Sequence, residues 1–235
     1  MESIKALKNT RATKLVASAI GVVAGIAGME HGFFEILQGN AAPSGLVIEA
    51  IGPAQRFWEY GGEPAFTIIP NFLITGILAM IVGLLVIIWS IAFIDRKYGA
   101  WVLMLLSIML FLVGGGFAPP VYALLAIVAA TKIDKPLTWW RKHLPLSIRG
   151  FLARLWLWFL IACASLSLFL VELAIFGYPL LWFLSANDSL SFISTLGNIT
   201  FFGLGPVVIL SAFAYDIQRQ TDSTQASFTQ GRLRQ

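Results

Sequence analysis

The sequence predicts an all-α, polytopic integral membrane protein with six transmembrane helices, both termini in the cytoplasm and a short fourth helix after a Gly/Pro break. Hydrophobic residues form 58% of the chain and charged residues only 12%, and several apolar runs reach the roughly 18 to 20 residues that cross a bilayer as a helix. Because no long polar segment interrupts the 235 residues, residues 1–220 are expected to form a single domain. The polar residues 221–235 are expected to be a disordered cytoplasmic tail.

The positions of the basic residues orient the candidate spans. These spans are 15–37, 66–94, 99–116, 119–131, 151–176 and 192–215. With the N-terminus in the cytoplasm, all of the 16 Lys and Arg residues except Arg56 fall on the inner side, as the positive-inside rule requires. We therefore expect a protein of the cell membrane whose partners are the lipid bilayer and, at its cytoplasmic face, anionic lipid. Nucleic acid is not needed to explain the positive charge.

The first span leaves one alternative open. Basic residues followed by an apolar run also describe a secretory signal peptide, with Gly25 and Ala27 as small residues before a cleavage point. The apolar character resumes at Phe33 and Phe34. This continuation favours a retained helix.

The same span carries Glu30, His31 and Glu35 before it has left the bilayer, where ionisable side chains are costly and mark functional sites. Projected at about 100° per residue, one face forms a stripe of small residues on which another helix can pack closely. The stripe consists of Gly21, Gly25, Gly28 and Gly32. His31 and Glu35 lie beside it, one turn apart, and are expected to pair with each other. Glu30 points to nearly the opposite side, so it must find a different partner or stay protonated.

Polar residues in three other spans reach a similar depth. At about 1.5 Å per residue, Glu30 lies about 24 Å and Glu35 about 32 Å above the inner charges, while Glu172, Asn198 and Asn71 lie about 27 to 36 Å above theirs. The hydrocarbon core is about 30 Å thick, so these groups gather in its outer third or at its outer edge. The sequence therefore predicts an outward-facing polar pocket lined by Glu30, His31, Glu35, Asn71, Glu172 and Asn198.

Two connections are expected to shape this pocket. The run 114–120, Gly-Gly-Gly-Phe-Ala-Pro-Pro, cannot continue a regular helix, and the short fourth span that follows suggests a recessed hairpin that floors a crevice, with an ordinary tight turn as the alternative. The outer loop 39–65 is long enough to be a lid, with 45–51 as a short interfacial helix, or else a simple surface loop.

The packing of the last two spans completes the expected site. If the glycine stripe meets the fifth span, Glu172 approaches His31 and Glu35. In the sixth span, Gly203, Gly205 and Pro206 are expected to kink the helix.

Three functions fit these residues. The lone Cys163 excludes a disulfide framework and a thiolate metal cluster, and no Walker A, H-E-x-x-H, G-x-S-x-G or Rossmann pattern is present. The protein is then a scaffold or accessory subunit, or a binding or transport protein for a proton, a cation or a small amphiphile. The third alternative is a membrane-embedded metalloenzyme in which His31, Glu35 and Glu172 bind a divalent metal such as iron, manganese or zinc.

Overall fold

The computed structural model describes residues 11–177 and 183–232, with side chains as far as Thr221, and this part of the chain is mostly helical. Lys5, Lys8 and Arg234, which contribute to the predicted orientation, lie outside the described residues. The helices are α1 (Ala12–Leu37), α2 (Phe72–Ala92), α3 (Gly99–Leu112), α4 (Ala118–Ala130), α5 (Thr138–His143), α6 (Leu146–Phe176), α7 (Ala186–Asn198) and α8 (Gly205–Arg232), and the strands are β1 (Val47–Glu49) and β2 (Pro64–Phe66).

Four helical segments are long and apolar enough to cross a membrane: α1, α2, α6 and the continuous stretch 187–221. Helices α3 and α4 are apolar but shorter, so the short fourth helix after the Gly/Pro break is confirmed. Large apolar side chains face outward along these helices; Ile81 of α2 is 50% exposed and Trp158 of α6 is 69% exposed. Outward-facing apolar surface of this kind is what a lipid environment stabilises.

The glycine stripe of α1 packs mainly against α2. A Cβ atom added at Gly25 would lie 2.7 Å from the carbonyl oxygen of Gly83, and one added at Gly32 would lie 2.7 Å from the carbonyl oxygen of Gly76. Each contact therefore sets a glycine of α1 against a glycine of α2, which lets the two backbones approach closely. The expectation of a close helix contact is confirmed. The helix that makes this contact is α2, whereas the one considered from the sequence was the fifth span, which is α6.

Within residues 45–51 the structure has a short strand, β1, and not the interfacial helix that the sequence suggested. Val47, Ile48 and Glu49 of β1 pair antiparallel with Phe66, Ala65 and Pro64 of β2. Along β1 the exposed, buried, exposed pattern has the period of two that a strand with one covered face requires. Since residues 64–66 belong to β2, α2 begins only at Phe72, after its cap Asn71.

Basic side chains and acidic partners meet at one end of the bundle, called here the basic end. The Lys14 ammonium group donates a hydrogen bond to Asp95 Oδ2 at 2.7 Å, and this bond holds the pKa of the Asp95 carboxyl below its usual value. Arg11 pairs with Asp134. Asp216 of α8 caps α1 by accepting hydrogen bonds from the first backbone amides of that helix, at 2.9 and 3.0 Å. The beginning of α1 is thereby fixed to α8 and to the connections that follow α2 and α4.

A π-helical segment (Ile199–Leu204) joins α7 to α8 directly before Gly205 and Pro206. Proline lacks an amide hydrogen and glycine weakens a helix, so a local change of helical pitch is expected here. Of the polar segment that the sequence sets apart as a tail, residues 221–232 are helical and 233–235 lie outside the described residues.

Candidate functional site

His31 is buried at the end of the bundle opposite the basic end. Its side chain is 7% exposed, and its Nδ1 lies 2.9 Å from the carbonyl oxygen of Ala27, one turn earlier in α1. A carbonyl oxygen can only accept a hydrogen bond, so Nδ1 carries a hydrogen and donates it. The direct pair with Glu35 that the spacing predicted is not formed.

The partner of His31 is Glu63, which the outer loop supplies immediately before β2. Its Oε2 lies 2.9 Å from His31 Nε2, at ion-pair distance although without the alignment of a well-directed hydrogen bond. Because Nδ1 already carries a hydrogen, an unprotonated Nε2 and an ionised carboxylate would place two lone pairs against each other. The contact therefore needs one further proton, held on either the imidazole or the carboxyl group.

Glu35 is the most enclosed ionisable group of the site. Its exposure is 0%, and neither carboxylate oxygen has a hydrogen-bond partner among the described residues. Buried polar groups in folded proteins are almost always hydrogen-bonded, and an unpaired buried carboxylate costs several kcal/mol. His31 is close enough for electrostatic interaction with Glu35. An unpaired acid at this position is therefore an anomaly that structural packing does not explain.

The turn between α3 and α4 covers both side chains. Gly114 and Gly116 have φ values of +93° and +81°, in the left-handed region that favours glycine. A Cβ atom at Gly114 would lie 2.5 Å from Glu35 Oε2, and one at Gly116 would lie 2.7 Å from two ring carbons of His31. Gly114 and Gly116 thus serve two purposes, since they form the turn and they leave space for the two polar side chains. The turn therefore lies against the site, but the gap found beside His31 is narrower than the crevice that the sequence suggested.

The outer loop lies over the site and is held at several points. Residues 66–68 hydrogen-bond to the turn, because the Gly114 amide donates to the Phe66 carbonyl oxygen at 3.0 Å and Thr67 bridges to Val113. On the other side, the Trp58 indole N–H donates to the Ala174 carbonyl oxygen of α6 at 3.0 Å. Arg56 pairs with Glu49 within the loop. The long loop is therefore a closed cover, and Glu63 is the residue through which it contacts His31.

The gap between the loop and the bundle is too narrow for a water molecule. It is lined by Glu30, His31, Phe34, Ile51, Glu63 and Ile175. Glu30, predicted to point away from His31, lies in this gap within electrostatic range of His31, Glu63 and Glu172.

The other predicted pocket residues lie outside the gap. Glu172 is exposed on α6, because α2 and not α6 occupies the glycine stripe. Asn71 caps α2 by accepting a hydrogen bond from the Ile74 amide at 3.1 Å and donates one to Asn40. Asn198 is exposed at the end of α7. Of the residues predicted to line the pocket, Glu30, His31 and Glu35 are thus brought close together.

Sequence reasoning missed Glu63 as a partner of His31. Its position depends on the path of the loop, and the signals available were the length of that loop and the charges within it.

No group of three or more His, Cys, Asp and Glu side chains is arranged to hold a metal ion within residues 11–177 and 183–221. The trio His31, Glu35 and Glu172, considered as metal ligands, is not assembled, since Glu172 is exposed while the other two are buried. Cys163 is buried in α6 at 2% exposure, as expected for a packing residue.

Comparison with known proteins gives no relative. No family model matches the chain, and neither a curated protein nor a solved structure matches it. The class that the fold defines is a helical integral membrane protein.

Proposed function

We propose that this chain is a six-span protein of the cell membrane, with both termini in the cytoplasm, that binds and conducts protons through a site built from His31, Glu35 and Glu63. The observation that carries the proposal is the Glu35 carboxyl group, which is completely buried and has no hydrogen-bond partner among the described residues. An ionisable side chain retained inside a membrane bundle at such a cost is the usual mark of a proton or ion pathway.

The dimensions of the site favour a proton over the other two ligands considered for a binding protein. The gap beside His31 does not admit a water molecule, so a hydrated cation or a small amphiphile needs a different conformation. A proton needs no cavity. The His31–Glu63 contact also requires one proton beyond the hydrogen that Nδ1 donates to Ala27. Glu63, 26% exposed, is the member of the site through which a proton reaches His31 from the extracytoplasmic side.

Proton flux into liposomes tests the transport part of this proposal. The purified protein is reconstituted with an internal pH indicator, and a potassium diffusion potential drives proton entry. We expect wild-type protein to give flux above protein-free liposomes, and Glu35→Gln and Glu63→Gln to reduce it to the protein-free level. Glu59→Gln, which removes an exposed carboxylate from the same loop, is the matched control and should retain flux. Equal flux in wild type and Glu35→Gln would refute a proton pathway through Glu35.

Two further measurements separate proton binding from a purely structural role. Infrared spectra recorded over a pH series should contain the carbonyl band of a protonated carboxylic acid that disappears in Glu35→Gln. At alkaline pH, the free energy of unfolding of Glu35→Gln should be about 1 kcal/mol higher than that of the wild type, because functional sites often gain stability when a buried charge is removed. Thermal unfolding measures this difference. A loss of stability with no change in the infrared band would instead favour the scaffold function.

A further inference from the structure

A second polar cavity lies at the basic end of the bundle, remote from His31. It has a volume of about 470 Å³, which is within the range of small-molecule sites. The connection between α4 and α5 forms one wall, and Arg11, directly before α1, forms the other together with residues 216–220 in the middle of α8. Its charged lining residues are Arg11, Lys132, Asp134, Lys135, Asp216 and Arg219.

The charges of this cavity do not cancel. Four basic and two acidic side chains line it, which leaves a net charge of +2. Both acids are already engaged: Asp134 pairs with Arg11, and both carboxylate oxygens of Asp216 accept amide hydrogens from the start of α1. Lys132, Lys135 and Arg219 form no ion pair with any side chain in the described part of the chain. Three cations thus line one cavity, and none of them is paired with an acidic side chain among those that the structure describes.

The wall that carries the two lysines has a defined shape. Asp134 lies between them with φ of +62°, a left-handed conformation that aspartate adopts more readily than most residues. The Lys135 amide donates a hydrogen bond to the Lys132 carbonyl oxygen at 3.3 Å. The Lys132 amide donates one to the Ala129 carbonyl oxygen at 3.0 Å. This backbone turn carries Lys132 and Lys135 in one wall of the cavity, and Arg219 of α8 also lines it.

The neighbourhood of the cavity is that of a bilayer interface. Helix α5, directly after this connection, carries Trp139, 58% exposed, and Trp140, whose ring packs against Phe213 of α8 at 5.4 Å between centroids. Tryptophan is enriched at the level of lipid headgroups. Basic pockets between transmembrane helices are known to bind phosphate-bearing headgroups.

We infer that Lys132, Lys135 and Arg219 form a binding site for a phosphate-bearing anion, either the headgroup of an anionic phospholipid or a free phosphate. Lysine and arginine donate hydrogen bonds to phosphate oxygens without a need for protein acids in return. This inference is independent of the proton pathway proposed above, because it involves none of the residues of that site.

The lipid source is tested with the full chain in nanodiscs of phosphatidylcholine containing a minor fraction of phosphatidylglycerol. Native mass spectrometry of the released protein measures how much phosphatidylglycerol is retained. We expect retention by wild type and a fall of about fivefold for each cation removed in Lys132→Gln and Arg219→Gln. Lys142→Gln removes an exposed charge from α5, outside the cavity lining, and should retain the lipid. Lys132→Arg and Arg219→Lys keep the charge and should retain it as well, which separates loss of binding from loss of fold.

The free-phosphate source is tested in nanodiscs of phosphatidylcholine alone. Inorganic phosphate should raise the unfolding temperature relative to chloride at equal ionic strength, and the rise should disappear in Lys132→Gln and Arg219→Gln. If retention of phosphatidylglycerol depends on Lys132 and Arg219, the bound anion is a lipid headgroup. If the rise in unfolding temperature with phosphate depends on them, the bound anion is a soluble phosphate. The inference is overturned if neither arm depends on them, or if Lys142→Gln loses binding to the same extent.

Discussion

At the scale of single residues, two glycines define the space that the site occupies. Gly114 and Gly116 combine a positive φ with direct contact to Glu35 and His31. Any residue with a side chain at these positions would destabilise the protein in two ways. Its backbone would be strained at a positive φ, and its Cβ atom would overlap with Glu35 or His31. The site is therefore sensitive to residues that carry no chemistry of their own.

Replacement of Gly116 by alanine should destabilise the protein by more than about 1 to 2 kcal/mol. This is the cost of a left-handed conformation for a residue with a Cβ atom, and the contact with the His31 ring adds to it. Gly197→Ala is the control, because that glycine lies inside α7 with nothing within 4 Å of an added Cβ atom, so alanine should stabilise the helix by about 0.5 to 1 kcal/mol. Thermal unfolding in detergent compares the two, and equal stability would contradict the role assigned to Gly116.

Single residues also show which features of the site can be predicted from the sequence and which cannot. The depth of His31 and Glu35 follows from counting along one helix, and both are buried as that count implies. The His31–Glu63 contact depends on the route of a long loop, which no helical periodicity determines. Asn71 was assigned to the pocket by depth alone, yet it lies where α2 begins and its side chain serves as the helix cap.

At the scale of elements, the α1–α2 pair determines where the polar side chains point. Gly25 contacts Gly83, and Gly32 contacts Gly76. Each helix therefore has two glycines with the same spacing, matched in antiparallel order. This match could have been found in the sequence, since it identifies the second span as the neighbour of the first. Without it, the stripe on α1 indicates a close neighbour but not which helix this is, so the approach of Glu172 to His31 was predicted only on the condition that the fifth span packs there.

Alanine substitutions along the stripe should differ according to what each glycine faces. At Gly32 an added Cβ atom meets the carbonyl oxygen of Gly76, and backbone cannot move aside without separating the helices. At Gly28 it meets the side chain of Leu110, which can change rotamer. We expect Gly32→Ala to cost about 1 to 3 kcal/mol, as overpacking in a close interface does, and Gly28→Ala to cost less. Unfolding temperatures measured side by side check this order, and the reverse order would contradict the backbone contact.

At the scale of the whole molecule, the two ends of the bundle have different chemistry. Ion pairs occur at both ends, but the cations without an ion-pair partner among the described side chains lie at the basic end, whereas the opposite end holds the loop, Glu35 and Arg56. The sequence predicts this polarity well because transmembrane orientation depends on charge count, not on packing. It predicts the closed cover poorly, because a strand pair within a loop depends on contacts distant in sequence.

Cysteine labelling of intact cells tests the orientation. The single native cysteine, Cys163, is 2% exposed and should give little background. Glu59→Cys, in the outer loop, should react with a membrane-impermeant maleimide on intact cells, whereas Lys142→Cys, at the basic end, should react only after permeabilisation. Both native side chains are exposed, so a difference in labelling reports the side of the membrane. Labelling of Lys142→Cys on intact cells would invert the assignment.

The anchoring of the loop by Trp58 has a consequence for rates. Its indole N–H is bonded to α6, and Gly61 and Gly177 both lie against its ring, so the ring is clamped between the loop and the end of α6. The loop is held over His31 by this contact and by its pairing with the α3–α4 turn, so lifting the whole loop breaks both. Loop and lid motions of this kind take microseconds or longer, far slower than the diffusion of a proton in water. Direct access of water to His31, as distinct from proton transfer through Glu63, is then limited by how often the Trp58 ring leaves these contacts.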